Sequence, residues 1–227
     1  CITPTSDPQN HFVHIIATNK LDKKGNLKGE FTITAEGQSD RSVRRIFTLG
    51  WQSDWMSTME KQLLDISPKA RLLHVDWGKN PKDYQSGPIK ITFHYEIPDY
   101  AFIGKNEILF KPITMNNLYN QVRSYLYINT NIIERKYGFK DACSRLLKLD
   151  ETTYIPKEYT IVETKNIPLT NSSAASFEGS ILQEGNKIVI HQELALKKRV
   201  YEASDWDSFR NAVNAHKSFE DAIIIRK

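Results

Sequence analysis

Apolar and polar residues alternate over several stretches of this chain, and period two is the signature of half-buried strands. The clearest is Glu30-Phe31-Thr32-Ile33-Thr34-Ala35, which puts Phe31, Ile33 and Ala35 on one face. Residues 11–20 are apolar and β-branched, and Asp22-Lys23-Lys24-Gly25-Asn26 supplies a turn between the two runs. Strands are predicted again over 70–77 and 89–97, where Ile91, Phe93, Tyr95 and Ile97 share a face, and over 107–112. The pattern changes to helical spacing at Trp55, Met56, Met59 and Leu63, with Ser53 as the expected N-cap and Ser67-Pro68 as the stop. The order is β-β-α-β-β, an α+β layer.

A second block reads as strands over 144–149, 159–164, 175–183 and 187–196, then a helix and a short apolar strand over 222–225. Gly185-Asn186 turns the chain between the two longest runs, and Ile188, Ile190, Leu194 and Leu196 line one face. Trp206, Phe209 and Val213 form the helix's buried stripe, with Ser204 and Asp207 as the expected capping box. The expected architecture is mainly β with α+β character: the first unit, then an antiparallel, immunoglobulin-like β-sandwich with a C-terminal helix. The expected divisions are a linker over 1–10, an α+β unit over 11–112, a connection over 113–135 and the sandwich over 136–227. Residues 116–127 fit either a helix or a strand.

The chain has 227 residues, enough to bury a core without disulfides or metals. The net charge of +4 is spread among interleaved acids and bases, so nucleic acid is not an expected partner. Arg41, Arg44 and Arg45 read as a solvated turn or helix face. The two cysteines, Cys1 and Cys143, form no zinc-binding pattern; a disulfide between them has no support in the sequence, and Cys143 reads as a small packed residue. No apolar run has the length of a transmembrane helix.

Searching for chemistry yields little. Nucleophile elbows and phosphate-binding glycine loops are missing, so no catalytic residue and no cofactor is expected. His11 and His14 point to opposite faces of a predicted strand. His74 and Asp76 share a face of one strand, and His94 and Glu96 share a face of another. In register, these four are candidate metal ligands; the competing reading is a solvated outer face. Trp51 and Trp77 are candidates for an aromatic shelf binding peptide or glycan, against core packing.

Gln183-Glu184-Gly185-Asn186-Lys187-Ile188-Val189-Ile190, Leu194 to Tyr201, and the Trp206 and Phe209 helix carry a resemblance. They resemble a C-terminal domain of unknown function that follows a transglutaminase-like core in multidomain secreted or periplasmic proteins of Bacteroides-type bacteria. Upstream runs, Pro4 to His11, Leu21 to Gly29, Arg44-Arg45-Ile46-Phe47 and Ile97 to Ala101, resemble the same proteins. The resemblance implies an exported, periplasmic or cell-surface protein. Its Cys-His-Asp core would lie upstream and be this region's partner; no residue here matches that core. Cys1 is then read as the start of a cut fragment, with a lipid-modified terminus as the alternative. The functional expectation is a non-catalytic accessory or interaction region. The alternatives are a module delivering peptide or glycan to the core, and an independent enzyme.

Overall fold

A computed structural model describes residues 6–116 and 128–227. In chain order the elements are β1 (Phe12–Leu21), β2 (Leu27–Ala35), α1 (Gly37–Thr48), α2 (Trp55–Leu64), β3 (Arg71–Asp76), β4 (Ile89–Ile97), β5 (Phe102–Ile103), β6 (Glu107–Phe110), β7 (Phe139–Lys140), β8 (Arg145–Tyr154), β9 (Thr160–Ile161), β10 (Lys165–Asn171), β11 (Ala175–Glu184), β12 (Lys187–Leu196), β13 (Val200–Tyr201), α3 (Trp206–Lys217) and β14 (Ile223–Arg226). The expected β-rich α+β fold with a C-terminal helix is what the chain forms.

Eight strands make one sheet in the order β10-β11-β12-β8-β1-β2-β4-β3. Gly25 turns β1 into β2 with a φ of 85°, a conformation that glycine adopts freely. The centre of the sheet is a parallel pair. β1 lies beside β8 in register from Phe12↔Leu146 to Lys20↔Tyr154, although the two strands are more than 120 residues apart in sequence. A four-stranded sheet, β5-β6-β14-β9, likewise draws two strands from each part of the chain.

These pairings correct the expected division into a unit over 11–112 and a separate sandwich over 136–227. β8, β12, β11 and β10 extend the first unit's own sheet. The pleat pattern shows which face of a strand is buried, but a strand's partner is a long-range choice that leaves no local mark. The expected linker over 1–10 lies partly outside the described residues; residues 8–11 form a 3-10 turn. The ambiguous segment and the connection over 113–135 also fall partly outside them; at their start, Ile113, Thr114 and Met115 are buried.

One face of the large sheet is the core. Val13, Ile15 and Ala17 of β1 continue across Ala35, Ile33 and Phe31 of β2 and Ile89, Ile91 and Phe93 of β4. On the other side they continue through Leu147 and Leu149 of β8 to Leu194 and Ile190 of β12 and Phe177 and Ile181 of β11. Phe31 and Phe93 stack with centroids 4.5 Å apart. α3 covers β11 and β12 with Trp206, Phe209, Ala212 and Val213, the stripe its spacing predicts. Its start differs from expectation. A 3-10 turn over Ala203–Asp205 precedes it, and the capping box is Glu202 with Asp205, not Ser204 with Asp207. Ser53 likewise lies within a 3-10 turn ahead of α2.

α1 covers β1 and β2 and buries one member of the arginine cluster. Arg44 is 1% exposed, which corrects the solvated reading. Its Nε donates to Asp40 at 2.7 Å, and its terminal nitrogens donate to the carbonyls of Pro81, Asp83 and Gly87. Asp40 in turn accepts from the Ile89 backbone N–H at 2.8 Å. The guanidinium is buried because the long loop before β4 brings acceptors for its donors.

Candidate functional site

The open face of the large sheet carries the polar side chains. Asp150 on β8 lies between two imidazoles: His14 Nε2 is 2.6 Å from one carboxylate oxygen, and His191 Nδ1 is 2.7 Å from the other. One carboxylate therefore joins β1, β8 and β12 across the parallel junction. Burial raises the Asp150 carboxyl, but hydrogen bonds from His14 and His191 outweigh it and hold the group below its ordinary value. Lys148 and Glu193 pair beside it at 2.8 Å.

The register brings His74 opposite His94, as a shared metal site would require. Their rings lie 5.8 Å apart by centroid. The two acids turn elsewhere. Glu96 meets Arg71 at 3.3 Å, and Asp76 accepts from the Gly78 backbone N–H at 2.9 Å. His94 instead approaches Glu30 of β2 at 3.3 Å. Among the described residues, no group of three His, Cys, Asp or Glu side chains is arranged to hold a metal ion. His11 sits before β1, where its Nδ1 accepts the Gln38 backbone N–H at 3.2 Å near the start of α1. Cys143 is buried, and burial raises its thiol; Cys1 lies outside the described residues.

A second carboxylate, which the sequence reading missed, enters the core. Glu151 is 2% exposed and accepts four hydrogen bonds from neutral donors. These are Asn19 Nδ2 at 2.9 Å, the Thr114 N–H and hydroxyl at 2.9 Å each, and the Thr153 hydroxyl at 2.8 Å. The Tyr95 hydroxyl donates to Asn19 Oδ1. Burial, and then the Glu151 charge, push Tyr95 and Tyr100 well above the ordinary phenol value. A Cβ at Gly29 would collide with Asn19 Oδ1 and the Thr18 carbonyl, so the network requires glycine there. Glu151 fastens the 113–115 turn to the middle of the sheet. The available signal was a glutamate at a position whose parity along β8 matches Leu147 and Leu149.

The two candidate tryptophans have different fates. Trp77 turns into an aromatic cluster, 5.5 Å from Phe47 and 5.3 Å from Trp55 by ring centroid. Trp51, between α1 and α2, is 79% exposed. The small sheet also exposes apolar side chains, and here they are contiguous. Phe102, Leu109 and Ile224 stand directly opposite one another on β5, β6 and β14. Val162 continues the row, its N–H bonded to the Ile224 carbonyl at 2.9 Å. Phe102 is 72% exposed.

Sheet edges are blunted against added strands. β10 carries Pro168 and a register shift between Ile167 and Thr170; β3 has a shift between Leu72 and His74; β5 and β9 are two residues long. Among the described residues, no helix is long and apolar enough to cross a membrane.

No curated protein matches the chain. A solved structure described as "a putative protease from Parabacteroides distasonis ATCC 8503" is similar over 54% of this chain, at 10% identity and a TM-score of 0.43. The chain spans only 24% of that protein's length. The family model for a domain of unknown function with a solved structure, DUF3858, matches residues 106–225. The match begins at β6, which pairs with β14, and so takes in three of the small sheet's four strands, β6, β9 and β14, and leaves out β5. With more than half of its length matched, the chain belongs to the DUF3858 family.

Proposed function

We propose that this chain is a non-catalytic accessory module that packs against a catalytic domain of the same protein. The observation that carries the reading is the exposed row Phe102, Leu109, Ile224 and Val162 across the small sheet. Contiguous exposed apolar surface marks a contact site more often than scattered residues do. Two further features support it. Carboxylates at the middle of the large sheet are engaged in bonds between strands: Asp150 with His14 and His191, Glu151 with Asn19, and Glu193 with Lys148. The blunted edges direct docking to a face. The neighbouring domain is a transglutaminase-like core, and the protein is exported, in the periplasm or at the cell surface; the sequence resemblance supports both parts.

The test uses the full-length protein carrying Phe102→Asp and Ile224→Asp. Both side chains are solvent-exposed, so the module keeps its own unfolding midpoint. The charged row is expected to lower the stability or activity of the catalytic domain. Unchanged activity, stability and partner binding would argue against the reading.

A further inference from the structure

A groove of about 630 Å³ runs between α1 and α2, far in sequence from the row on the small sheet. Ser42, Arg45 and Ile46 line it from α1, Leu49 from the link, and Thr58 and Gln62 from α2. Beneath the helices, Phe47, Trp55 and Trp77 form a packed aromatic base, with Trp55 Nε1 donating to the Phe47 carbonyl at 3.1 Å. Leu49 of the lining is 76% exposed; Trp51, two residues further along the same link, is more exposed still, and Met56 at the start of α2 is exposed as well.

The charge at this place has one sign where it matters. Arg45 is the single ionisable side chain in the lining. It makes no ion pair among the described residues, whereas its neighbour Arg44 takes the carboxylate of Asp40. Arg41 stands one turn earlier on α1, and the Lys82 ammonium lies 5.7 Å over the Trp55 ring. Glu60 of α2, and Asp54 and Asp65 at its two ends, are outside the lining. Exposed Trp and Arg, here beside the aliphatic side chains of Ile46 and Leu49, are among the residue types that dominate protein-binding hot spots. Ile46 and Leu49 suit an apolar side chain better than a sugar's hydroxyls, and a groove between helices accepts an amphipathic helix.

We infer that the α1–α2 groove docks an amphipathic helical segment of a protein partner, with an Asp or Glu of that segment on Arg45 and an apolar residue against Leu49 and Trp51. This rests on reading the chain as an interaction module, and it adds a second contact surface of different chemistry. The contact is a charge-assisted hydrogen bond beside apolar burial, so removing either part weakens it separately.

The test is a random 12-residue peptide library displayed on phage and panned over the whole chain, in parallel with Arg45→Glu and Trp51→Ala. Sequences enriched on the wild type are expected to pair an Asp or Glu with apolar residues three or four positions away. Synthesised, they should bind Arg45→Glu about tenfold more weakly, and replacing the acid with Lys should restore part of the loss on that variant. Enriched sequences without acids, affinity untouched by Arg45→Glu, or no enrichment over Trp51→Ala would each overturn the inference. Competition by a soluble oligosaccharide such as maltohexaose would point to a glycan instead and overturn it as well. Unfolding midpoints within a degree or two of wild type show that the variants are folded. The Phe102 and Ile224 variants keep the groove intact, so failure here and failure of the packing reading are separable.

Discussion

Asp150 and Glu151 are consecutive carboxylates on β8, and the pleat sends them to opposite faces of the same sheet. Glu151 enters the core, where four neutral donors take the place of water. Asp150 emerges on the open face between two imidazoles, with about a third of its side chain still exposed. Both tie strands together, but at different cost. A buried charge must have its lone pairs satisfied, so every donor around Glu151 is committed to it. A half-exposed charge keeps part of its hydration, so its partners add little. Burial, not charge, sets how far the fold depends on each residue.

The largest effect is therefore expected at Glu151→Ala. It leaves Asn19, Thr114 and Thr153 donors without their acceptor in a closed space, and urea denaturation should show a loss of about 4 kcal/mol. Glu151→Gln, which keeps the shape, should lose less. A small effect at Glu151→Ala would break the comparison.

A smaller effect belongs to Leu149→Ala, on the same face of β8 and fully buried, where cavity formation should cost about 3 kcal/mol. If Glu151→Ala costs less than Leu149→Ala, the carboxylate network is dispensable packing.

Asp150→Asn comes next, at under about 1 kcal/mol near neutral pH because of its exposure. Its pH dependence has a definite sign. The folded carboxyl is held below its unfolded value of about 3.9, so its contribution is present above that pH and lost as pH falls through the lower folded value. The stability gap between wild type and Asp150→Asn should close below about pH 4. A gap that widens in acid would contradict the hydrogen-bonded arrangement with His14 and His191. The smallest effect, about 0.5 kcal/mol in a double-mutant cycle, is expected for the Lys148–Glu193 pair on the open face.

The same contrast explains what the sequence made legible. The strand over 89–97 is plain because alternation and one-sided burial coincide: all five odd-numbered residues of β4 are buried. The stripe of α3 is legible for the same reason at helical spacing. α1 is not, because it opens on the polar run Gly-Gln-Ser-Asp-Arg-Ser and buries two polar residues, Ser39 and Arg44, alongside Val43 and Phe47. Their acceptors come from the His11 carbonyl and from a loop some forty residues downstream. β10 is hidden by Pro168 and by exposure along most of its length, the marks of an edge strand. The β1–β8 pairing could not be read at all, since each strand shows only its own two faces. Of the candidate residues, His74 and His94 do meet across strands, while Asp76 is taken by the nearby Gly78 N–H and Glu96 and Trp77 by partners on other elements, which spacing does not reveal. Asp150 and Glu151 fall just beyond the strand expected over 144–149, because two adjacent acids interrupt the apolar pattern until the parity of each is followed.

The proposed docking of the small sheet is open to direct measurement by hydrogen exchange, comparing this chain alone with the chain joined to the proposed neighbouring domain. The account predicts slower exchange in the joined form at the amides of β5, β6, β9 and β14, with the central strands of the large sheet unchanged. Equal exchange at those four strands in the two forms would contradict it.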